Sequence, residues 1–253
     1  MTYLQQLDDI INTIIAPAAQ TMDRESAFPR AAIHALGDAG LLGLISAEEV
    51  GGMELGLVEA AQVVERISKV CASTAMVVTM HYCGTTVLEK FGNSAIRRDI
   101  AEGAHLTTLA WSDSGSRSHF WAPVSKARRE GDDIILDGSK SMVTSAAEAD
   151  SYVWSTSPIA AEGASTLWLV NSKAAGLSQP KYFDGLGLRG NCSSPLTSTA
   201  LHLSASDMLG TDGGGFDIMI GTVLPVFSTL IASCSIGTMD AAIESSCAHV
   251  SGN

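Results

Sequence analysis

The sequence predicts an α+β protein of more than one domain, with a helical domain first, a β-barrel or sandwich second and further helix last. Three observations lead to this fold class. Apolar residues recur at helical spacing through the first hundred positions, short β-type runs between turn residues begin near Leu106, and helical spacing returns at Gly215. These changes of periodicity predict domains over residues 1–104, 105–212 and 213–253.

The first domain is expected to contain several helices. The first of them should end near Pro17, because proline lacks the N–H that continues a helix, and a second segment starts at Phe28. Residues 73–91 form a largely uncharged run that is typical of a buried helix, and residues 94–103 form a short, charged one. Before both of these runs, an amphipathic helix is predicted by one apolar stripe: Val58, Ala61, Val64, Ile67 and Cys71.

Short runs between turn signals predict the strands of the second domain. They lie at residues 134–136, 152–156, 166–170 and 201–203. An apolar helical pattern then runs from Gly215 to His249, interrupted by Pro225. The pattern has no capping residue at its end, and we expect a helical domain that is cut short.

Composition excludes several classes of function. The chain has 15 Lys and Arg against 27 Asp and Glu, a net charge of −12. This charge argues against binding to nucleic acid or to an anionic membrane surface. Five cysteines without a C-x-x-C pair fit neither a disulfide framework nor a zinc site and favour a reducing cytoplasm. We find no run approaching 18 uncharged apolar residues, so no membrane span is expected, and the N-terminus resembles no signal or transit peptide.

Three short motifs are better explained by local structure. Gly185, Gly187 and Gly190 spell G-x-G-x-x-G, but a strand-like segment follows where a dinucleotide fold needs a helix. Ser178-x-x-Lys181 contains a proline and lacks the partner motifs of a penicillin-recognising hydrolase. Residues 213–215 are three glycines without the Lys-Ser/Thr of a phosphate loop, and the histidines show no metal-ligand spacing, so no metal site is expected.

The segment Ser112–His119 concentrates hydroxyls, a cation and a glycine in eight residues. Such a loop can surround a phosphate with N–H and O–H donors. A solvated loop is the commoner explanation of the same composition, and both interpretations stay open at this point.

Six collinear segments together resemble the acyl-CoA dehydrogenase family. ISAEEVGGMELG is similar to the family's P-x-x-x-G-G-x-G loop, VERISKVCASTA to its next helix, and WSDSGSRSH to its T-E-P-x-x-G-S-D loop. GDDIILDGSKSMVTSAAEAD resembles the G-x-K-x-[WF]-I-T-N strand pair, FDGLGLRGNCSSPL the G-x-R-x-S segment, and MLGTDGGGFDIMI the loop into the last helix.

The resemblance implies a helical domain, a β domain and the opening helix of a C-terminal four-helix bundle. It also implies FAD as cofactor and oxidation of the Cα–Cβ bond of an acyl thioester. A carboxylate removes the α-proton while the β-hydrogen leaves as hydride to the flavin. The implied partners are an acyl-CoA or related small organic substrate, an electron-transfer flavoprotein or O₂ as acceptor, and further copies of the chain in a homo-oligomer.

The resemblance assigns residues to the flavin. Thr144 is expected to bond near flavin N5, and Ser118 to serve the pyrophosphate or substrate-carbonyl region. Arg189 stands at the G-x-R arginine, where an intradomain salt bridge is the favoured role. Six residues stand at family positions that contact the cofactor: Ser112, Ser118, Met142, Val143, Thr144 and Ser145.

Departures from the family pattern leave the catalytic residues unknown. Arg117 and His119 replace Gly and Asp of the flavin loop, and Met142 replaces the usual aromatic residue. The last helix opens with the uncharged TVLPVFSTL, so no catalytic base is identifiable and the 253-residue chain alone is predicted to be inactive. Its apolar face from Val223 to Ile243 should drive association. Two alternatives stay open: a flavin-dependent monooxygenase of the same fold, and an inactive fragment that cannot hold FAD alone.

Overall fold

The computed structural model describes residues 2–117, 119–179 and 185–252. In this part of the chain helices come first, strands next and helices last, which confirms the predicted fold class. The helices are α1 (Tyr3–Ile10), α2 (Ala16–Glu25), α3 (Arg30–Asp38), α4 (Leu57–Ser68), α5 (Ala72–Phe91), α6 (Ser94–Ala101), α7 (Gly215–Ile218) and α8 (Leu224–Ser251). The strands are β1 (Thr107–Ala110), β2 (Lys126–Glu130), β3 (Asp133–Val143), β4 (Ser151–Thr156), β5 (Thr166–Asn171), β6 (Leu177–Ser178), β7 (Ser194–Ser204) and β8 (Met208–Leu209).

The described strands form two four-stranded sheets. The first has the order β1-β4-β5-β8, in which only the β1–β4 pair is parallel. The second, β2-β3-β7-β6, is antiparallel throughout. Leu136 of one sheet and Trp154 and Trp168 of the other belong to a single apolar cluster, so the sheets share a core. This is not the parallel, doubly wound sheet of a dinucleotide-binding fold.

Helix α8 packs closely against α4 and also contacts α5. A Cβ atom on Gly237 would lie 2.1 Å from Ser68 Oγ and 2.2 Å from the Glu65 carbonyl oxygen, so glycine is required for this approach. The predicted stripe on α4 is partly wrong, because Val58 is 66% exposed. Val64 and Ile67 are buried as predicted, and packing by α5 and α8 also buries Ala60, Val63 and Ser68.

Both prolines that were expected to interrupt helices are accommodated within them. A π-helical turn at Ile11–Ile15 precedes Pro17, and a second at Met219–Val223 precedes Pro225. The helical path therefore continues through Pro17 to Glu25, contrary to the expected end near that residue. The wider π turn makes room for a ring that would clash with the carbonyl four residues earlier in a regular helix.

The sequence was expected to contain no apolar run long enough to span a membrane, and this expectation was wrong. The helix Gly215–Ser251 is long and apolar enough to cross a membrane, because its residues 218–239 carry no Asp, Glu, Lys or Arg. Core helices pass the same test, and one-third of its most apolar window is buried against the rest of the protein. Leu230 and Cys234 belong to the shared core, so the inner face of this helix is a packing surface.

Candidate functional site

A cavity of about 180 Å³ lies where helices α5, α7 and α8 meet the end of the first sheet. Its floor consists of fully or almost fully buried side chains, Leu109, Met219 and Val223. Its rim carries Ser112, Phe120 and Met142, which are half-buried or exposed. The remaining lining residues are Met80, Trp111, Leu224 and Phe227.

Met142 reaches the rim because strand β3 bulges there. The pairing of β3 with β7 shifts register between Lys140 and Val143, so Met142 lies in the irregular segment and is 43% exposed. Val143 is fully buried in the core. Side chains alternate along a strand, so Met142 and Thr144 face the outside while Val143 faces inward. Bulges often re-aim a side chain beside a functional site.

A second cavity of about 130 Å³ lies on the other side of Met142. Leu188, Arg189 and Ser193 line it together with Met142. The Ser193 hydroxyl lies 3.3 Å from the Thr144 hydroxyl, so two hydroxyl groups stand beside the exposed thioether. Met142 therefore separates a mainly apolar cavity from a more polar one.

Ser145 lies two residues beyond the end of strand β3. Its φ of 59° lies in the left-handed region, and its N–H donates to the Asn191 carbonyl at 2.9 Å. The side chain is buried. Of the predicted flavin residues, Met142 and Thr144 thus present side chains on the open face, while Val143 and Ser145 present only backbone.

Asp113 anchors the loop that follows strand β1 through hydrogen bonds. Its carboxylate accepts hydrogen bonds from the Val124 and Ser125 N–H groups at 2.6 and 2.7 Å, and from the Ser125 hydroxyl at 2.6 Å. The Lys140 ammonium lies 2.7 Å from the same carboxylate, and neither side chain is exposed. Burial lowers the pKa of Lys140 to about 8, against the opposing effect of Asp113.

Asp113 is a carboxylate in the loop that follows β1, and its contacts argue against a role as catalytic base. Both of its oxygens are held by the loop and by Lys140, beneath the strand. None of the described side chains that line the cavity is Asp or Glu. Ser112 lies on the rim of the cavity, whereas Ser118 lies outside the described residues.

Aromatic rings support the loop from the cavity side. The Trp111 and Phe120 rings are stacked with centroids 6.1 Å apart, and Trp121 meets the Phe120 ring edge-on at 5.0 Å. His119 packs on Trp121 with ring centroids 5.1 Å apart. Of these rings, Trp111 and Phe120 line the cavity and form one of its walls.

The other polar residues singled out in the sequence have structural contacts. Arg189 donates from Nε to the Ser26 hydroxyl at 3.1 Å and so joins the β region to the end of α2. His81 is buried between the Leu42 carbonyl and the Thr107 N–H, and burial lowers its pKa to about 4, so it is a neutral structural residue. The Gly190 loop leads into a 3₁₀ turn and strand β7, which rules out the dinucleotide motif there.

The chemistry of the two cavities fits a flavin beside an apolar group. An isoalloxazine ring needs an apolar contact for its face and hydrogen-bonding groups at its polar edge. Met142 offers exposed apolar surface, Ser112 and Ser193 line the cavities on its two sides, and the Thr144 hydroxyl lies 3.3 Å from that of Ser193. The larger cavity has Ser112 as its one polar lining residue within the described chain, so it suits an aliphatic group better than a ring with polar edges.

Sequence reasoning found the rim of this site and missed its interior. Met80, Met219 and Phe227 were assigned only to apolar helical runs. Nothing in periodicity distinguishes a side chain that lines a cavity from one that fills a core. The sole sequence signal for the cavity-lining residues was Pro225, because the π turn that accommodates this proline includes Met219 and Val223.

Comparison with known proteins indicates, along most of the chain, the same family that the sequence motifs resemble. The family model described as "Acyl-CoA dehydrogenase, N-terminal domain" matches residues 2–104, and "Acyl-CoA dehydrogenase, middle domain" matches residues 108–200. The human mitochondrial short-chain specific acyl-CoA dehydrogenase is 31% identical over 250 residues, which cover 95% of this chain and 60% of that protein. Cyclohex-1-ene-1-carbonyl-CoA dehydrogenase of Geobacter metallireducens is 27% identical, over 97% of this chain and 66% of that protein.

Solved structures share the fold. Butyryl-CoA dehydrogenase from Megasphaera elsdenii superposes with a TM-score of 0.88 at 21% identity, covering 96% of this chain and 66% of that one. The chain thus spans about three-fifths of the length of the human relative. These matches do not favour the monooxygenase or inactive-fragment alternatives. Two adjacent domain matches, collinear relatives and a shared fold lead to one conclusion: the chain belongs to the acyl-CoA dehydrogenase family.

Proposed function

We propose that the protein is an FAD-dependent oxidoreductase that removes hydrogen from the Cα–Cβ bond of an acyl thioester such as an acyl-CoA. The observation that carries this function is the position of Met142, an exposed apolar side chain between a more polar cavity, lined by Arg189, Asn191 and Ser193, and a mainly apolar one. A flavin held against Met142 would border the apolar cavity directly. When bound, FAD supplies the acceptor for the β-hydrogen as hydride.

The residues of this chain would bind and orient the two reactants. Ser112, Thr144 and Ser193 would hydrogen-bond the polar edge of the flavin, and the backbone at Val143 and Ser145 would continue the same edge. Ser118 is the proposed contact for the pyrophosphate. The apolar side chains of the larger cavity would hold the acyl chain and exclude water, which strengthens any electrostatic contact with the thioester carbonyl.

Proton removal needs a carboxylate within hydrogen-bond reach of the α-carbon. No described side chain lining the cavity supplies one. We therefore propose that the 253-residue chain binds FAD and acyl-CoA, and that oxidation of the acyl group needs a carboxylate base from outside the described lining of this cavity. The proposed acceptor of electrons from the reduced cofactor is an electron-transfer flavoprotein or O₂. We also propose that the protein is a cytoplasmic homo-oligomer, in which the exposed side chains of Ile236, Met239 and Ile243 on α8 are covered.

Anaerobic mixing tests the proposal. The FAD-loaded chain receives butyryl-CoA while the visible flavin spectrum is recorded. We expect the flavin band to shift, because the acyl thioester contacts the ring, and we expect it to keep its intensity. Rapid bleaching would show that a carboxylate of this chain acts as base, and absence of both FAD and acyl-CoA binding would contradict the proposed function.

A further inference from the structure

We infer that the indole N–H of Trp111 determines specificity by donating a hydrogen bond to an oxygen atom of the acyl group. The favoured substrate is then a thioester whose acyl group carries an ether, hydroxyl or keto oxygen. The inference rests on the proposed function and deepens it by naming the substrate class. The observation that carries it is a buried donor without an acceptor in a residue that lines the larger cavity.

Trp111 Nε1 is buried and has no hydrogen-bond partner within the described part of the chain. Trp111 as a whole is 7% exposed, so bulk solvent does not replace the missing acceptor. A buried N–H without an acceptor is costly, and folded proteins pair the large majority of such groups. Trp168 follows this rule, because its Nε1 donates to the Thr156 hydroxyl at 2.9 Å. The unpaired donor of Trp111 therefore requires an explanation.

The position of Trp111 supplies that explanation. Trp154 also has an unpaired Nε1, but it belongs to the shared core and lines neither of the two cavities beside Met142. Trp111 lines the larger cavity, whose other described lining residues are apolar apart from Ser112 at the rim. A molecule that enters this cavity can therefore bring the acceptor that the fold does not provide.

The contacts of Trp111 hold its ring in place. The Phe120 ring stacks on it with the centroids 6.1 Å apart. The Trp111 carbonyl oxygen accepts hydrogen bonds from the Ser155 hydroxyl at 3.3 Å and from the Lys140 ammonium at 3.4 Å. The donor is thus ordered before a ligand arrives, and a preorganised group contributes to binding without a further ordering cost.

The chemistry of the cavity wall defines the acyl group. Apolar side chains suit a carbon chain or a saturated ring, and one N–H suits one neutral oxygen acceptor. A carboxylate does not fit, because the described lining residues include no Lys or Arg and an unpaired buried charge is strongly disfavoured. A site that hydrogen-bonds one ligand atom discriminates against the analogue without that atom, since the donor is then left unpaired.

Pairs of acyl-CoA ligands that differ in one atom test the inference in the FAD-loaded protein. Tetrahydropyran-4-carbonyl-CoA has an oxygen in place of one ring CH₂ of cyclohexanecarbonyl-CoA, and 3-methoxypropanoyl-CoA stands in the same relation to pentanoyl-CoA. By isothermal titration calorimetry, we expect an oxygen ligand to bind about tenfold more tightly than its hydrocarbon partner in at least one pair. Trp111→Phe keeps an aromatic ring without the donor and should abolish this preference. Trp154→Phe removes the other unpaired indole N–H and should retain it.

A spectroscopic readout on the parent protein keeps the test decisive if a tryptophan variant is unstable. Protein labelled with ¹⁵N-indole tryptophan has four Nε1–H groups to observe by NMR. The Trp111 resonance is identified by nuclear Overhauser contacts to the stacked Phe120 ring. We expect it to move downfield with the preferred oxygen ligand and to keep its position with the hydrocarbon partner.

The outcomes separate this inference from the proposed function. Equal binding within both pairs, or a preference that Trp111→Phe retains, would overturn the role of Trp111 and leave the acyl-thioester function standing. A Trp111 resonance that moves when FAD binds, and no further with the oxygen ligands, would assign the donor to the cofactor and also overturn the inference. Failure of every acyl-CoA to bind, with FAD bound, would overturn both the inference and the proposed function.

Discussion

The Lys140 ammonium lies 2.7 Å from the Asp113 carboxylate, and both side chains are completely excluded from solvent. Lys140 also donates to the Ser155 carbonyl at 2.7 Å and to its hydroxyl at 3.0 Å. The pair therefore joins the loop after β1 to both sheets, directly beneath the proposed flavin face. A buried ion pair of this kind fixes the position of the loop relative to the sheets. Loss of one partner leaves the charge of the other partner buried and uncompensated.

We predict that Lys140→Met destabilises the protein by about 3–5 kcal/mol, because it leaves the Asp113 carboxylate buried and unpaired. Urea denaturation followed by circular dichroism measures the change. The matched control is Glu130→Gln, which breaks the exposed Arg128–Glu130 pair and should cost at most about 1 kcal/mol. Equal effects of the two substitutions would contradict the importance of the buried pair.

We predict that Gly237→Ala destabilises the packing of α8 on α4 by about 1–3 kcal/mol, the usual cost of overpacking. The added methyl group would meet the Glu65 carbonyl and the Ser68 hydroxyl. Gly221→Ala is the control, since a Cβ there has no neighbour within 4 Å. Thermal unfolding compares them, and a Gly237→Ala protein as stable as Gly221→Ala would show that the helices lie further apart.

We predict that Asp212 stabilises the fold at neutral pH and loses this effect in acid. Burial alone raises the pKa of Asp212, but hydrogen bonds from the Thr166 hydroxyl and the N–H groups of residues 159–161 outweigh it and bring the pKa to about 2. A carboxyl whose pKa is depressed in the folded state contributes stability above its unfolded pKa of about 3.9. That contribution disappears as the pH falls from about 4 to about 2.

The free energy of unfolding of Asp212→Asn and of the parent protein, measured from pH 6 down to pH 2.5, checks this prediction. The difference between the two proteins should be largest at pH 6 and shrink toward pH 2.5. Asp207→Asn, which alters the short 3₁₀ turn Ala205–Asp207, is the control carboxyl from the same region. A difference that is independent of pH would show that the Asp212 pKa is not depressed.

We predict that Met142→Glu weakens FAD binding by more than about tenfold while leaving stability within about 0.5 kcal/mol, because the side chain is exposed and a carboxylate repels the flavin face. Fluorescence titration with FAD measures the affinity. Val58→Glu adds the same charge at another exposed apolar residue, on α4, and should leave FAD affinity unchanged. Parallel loss in both variants would indicate a general charge effect.

The order of helices and strands was predictable because periodicity reports local geometry. The boundary between domains near residue 104 and that near residue 212 stay predictions. Pro17 and Pro225 misled the helix assignments, since a π turn before each proline cannot be recognised from composition. Val58 was misassigned because which arc of α4 is buried depends on α8, far away in sequence.

The site was predictable only where it resembles family motifs. Met142 was identified by its position in a motif, and its exposure follows from a bulge that the sequence alone does not reveal. Met219 and Val223 were invisible as site residues, because an apolar side chain at a cavity floor has the same pattern as one in a filled core. Asp113 was correctly placed in the loop, yet only the structure shows that its oxygens are committed to Lys140 and Ser125.

The most direct test of the central claim is a visible-spectrum titration of the protein with FAD, followed by butyryl-CoA under anaerobic conditions. The account predicts a bound flavin whose spectrum shifts when the acyl thioester occupies the cavity beside Met142. It also predicts that the shift disappears in a Met219→Trp variant that fills this cavity, while FAD stays bound. A protein that binds no flavin, or a bound flavin unaffected by butyryl-CoA, would contradict the account.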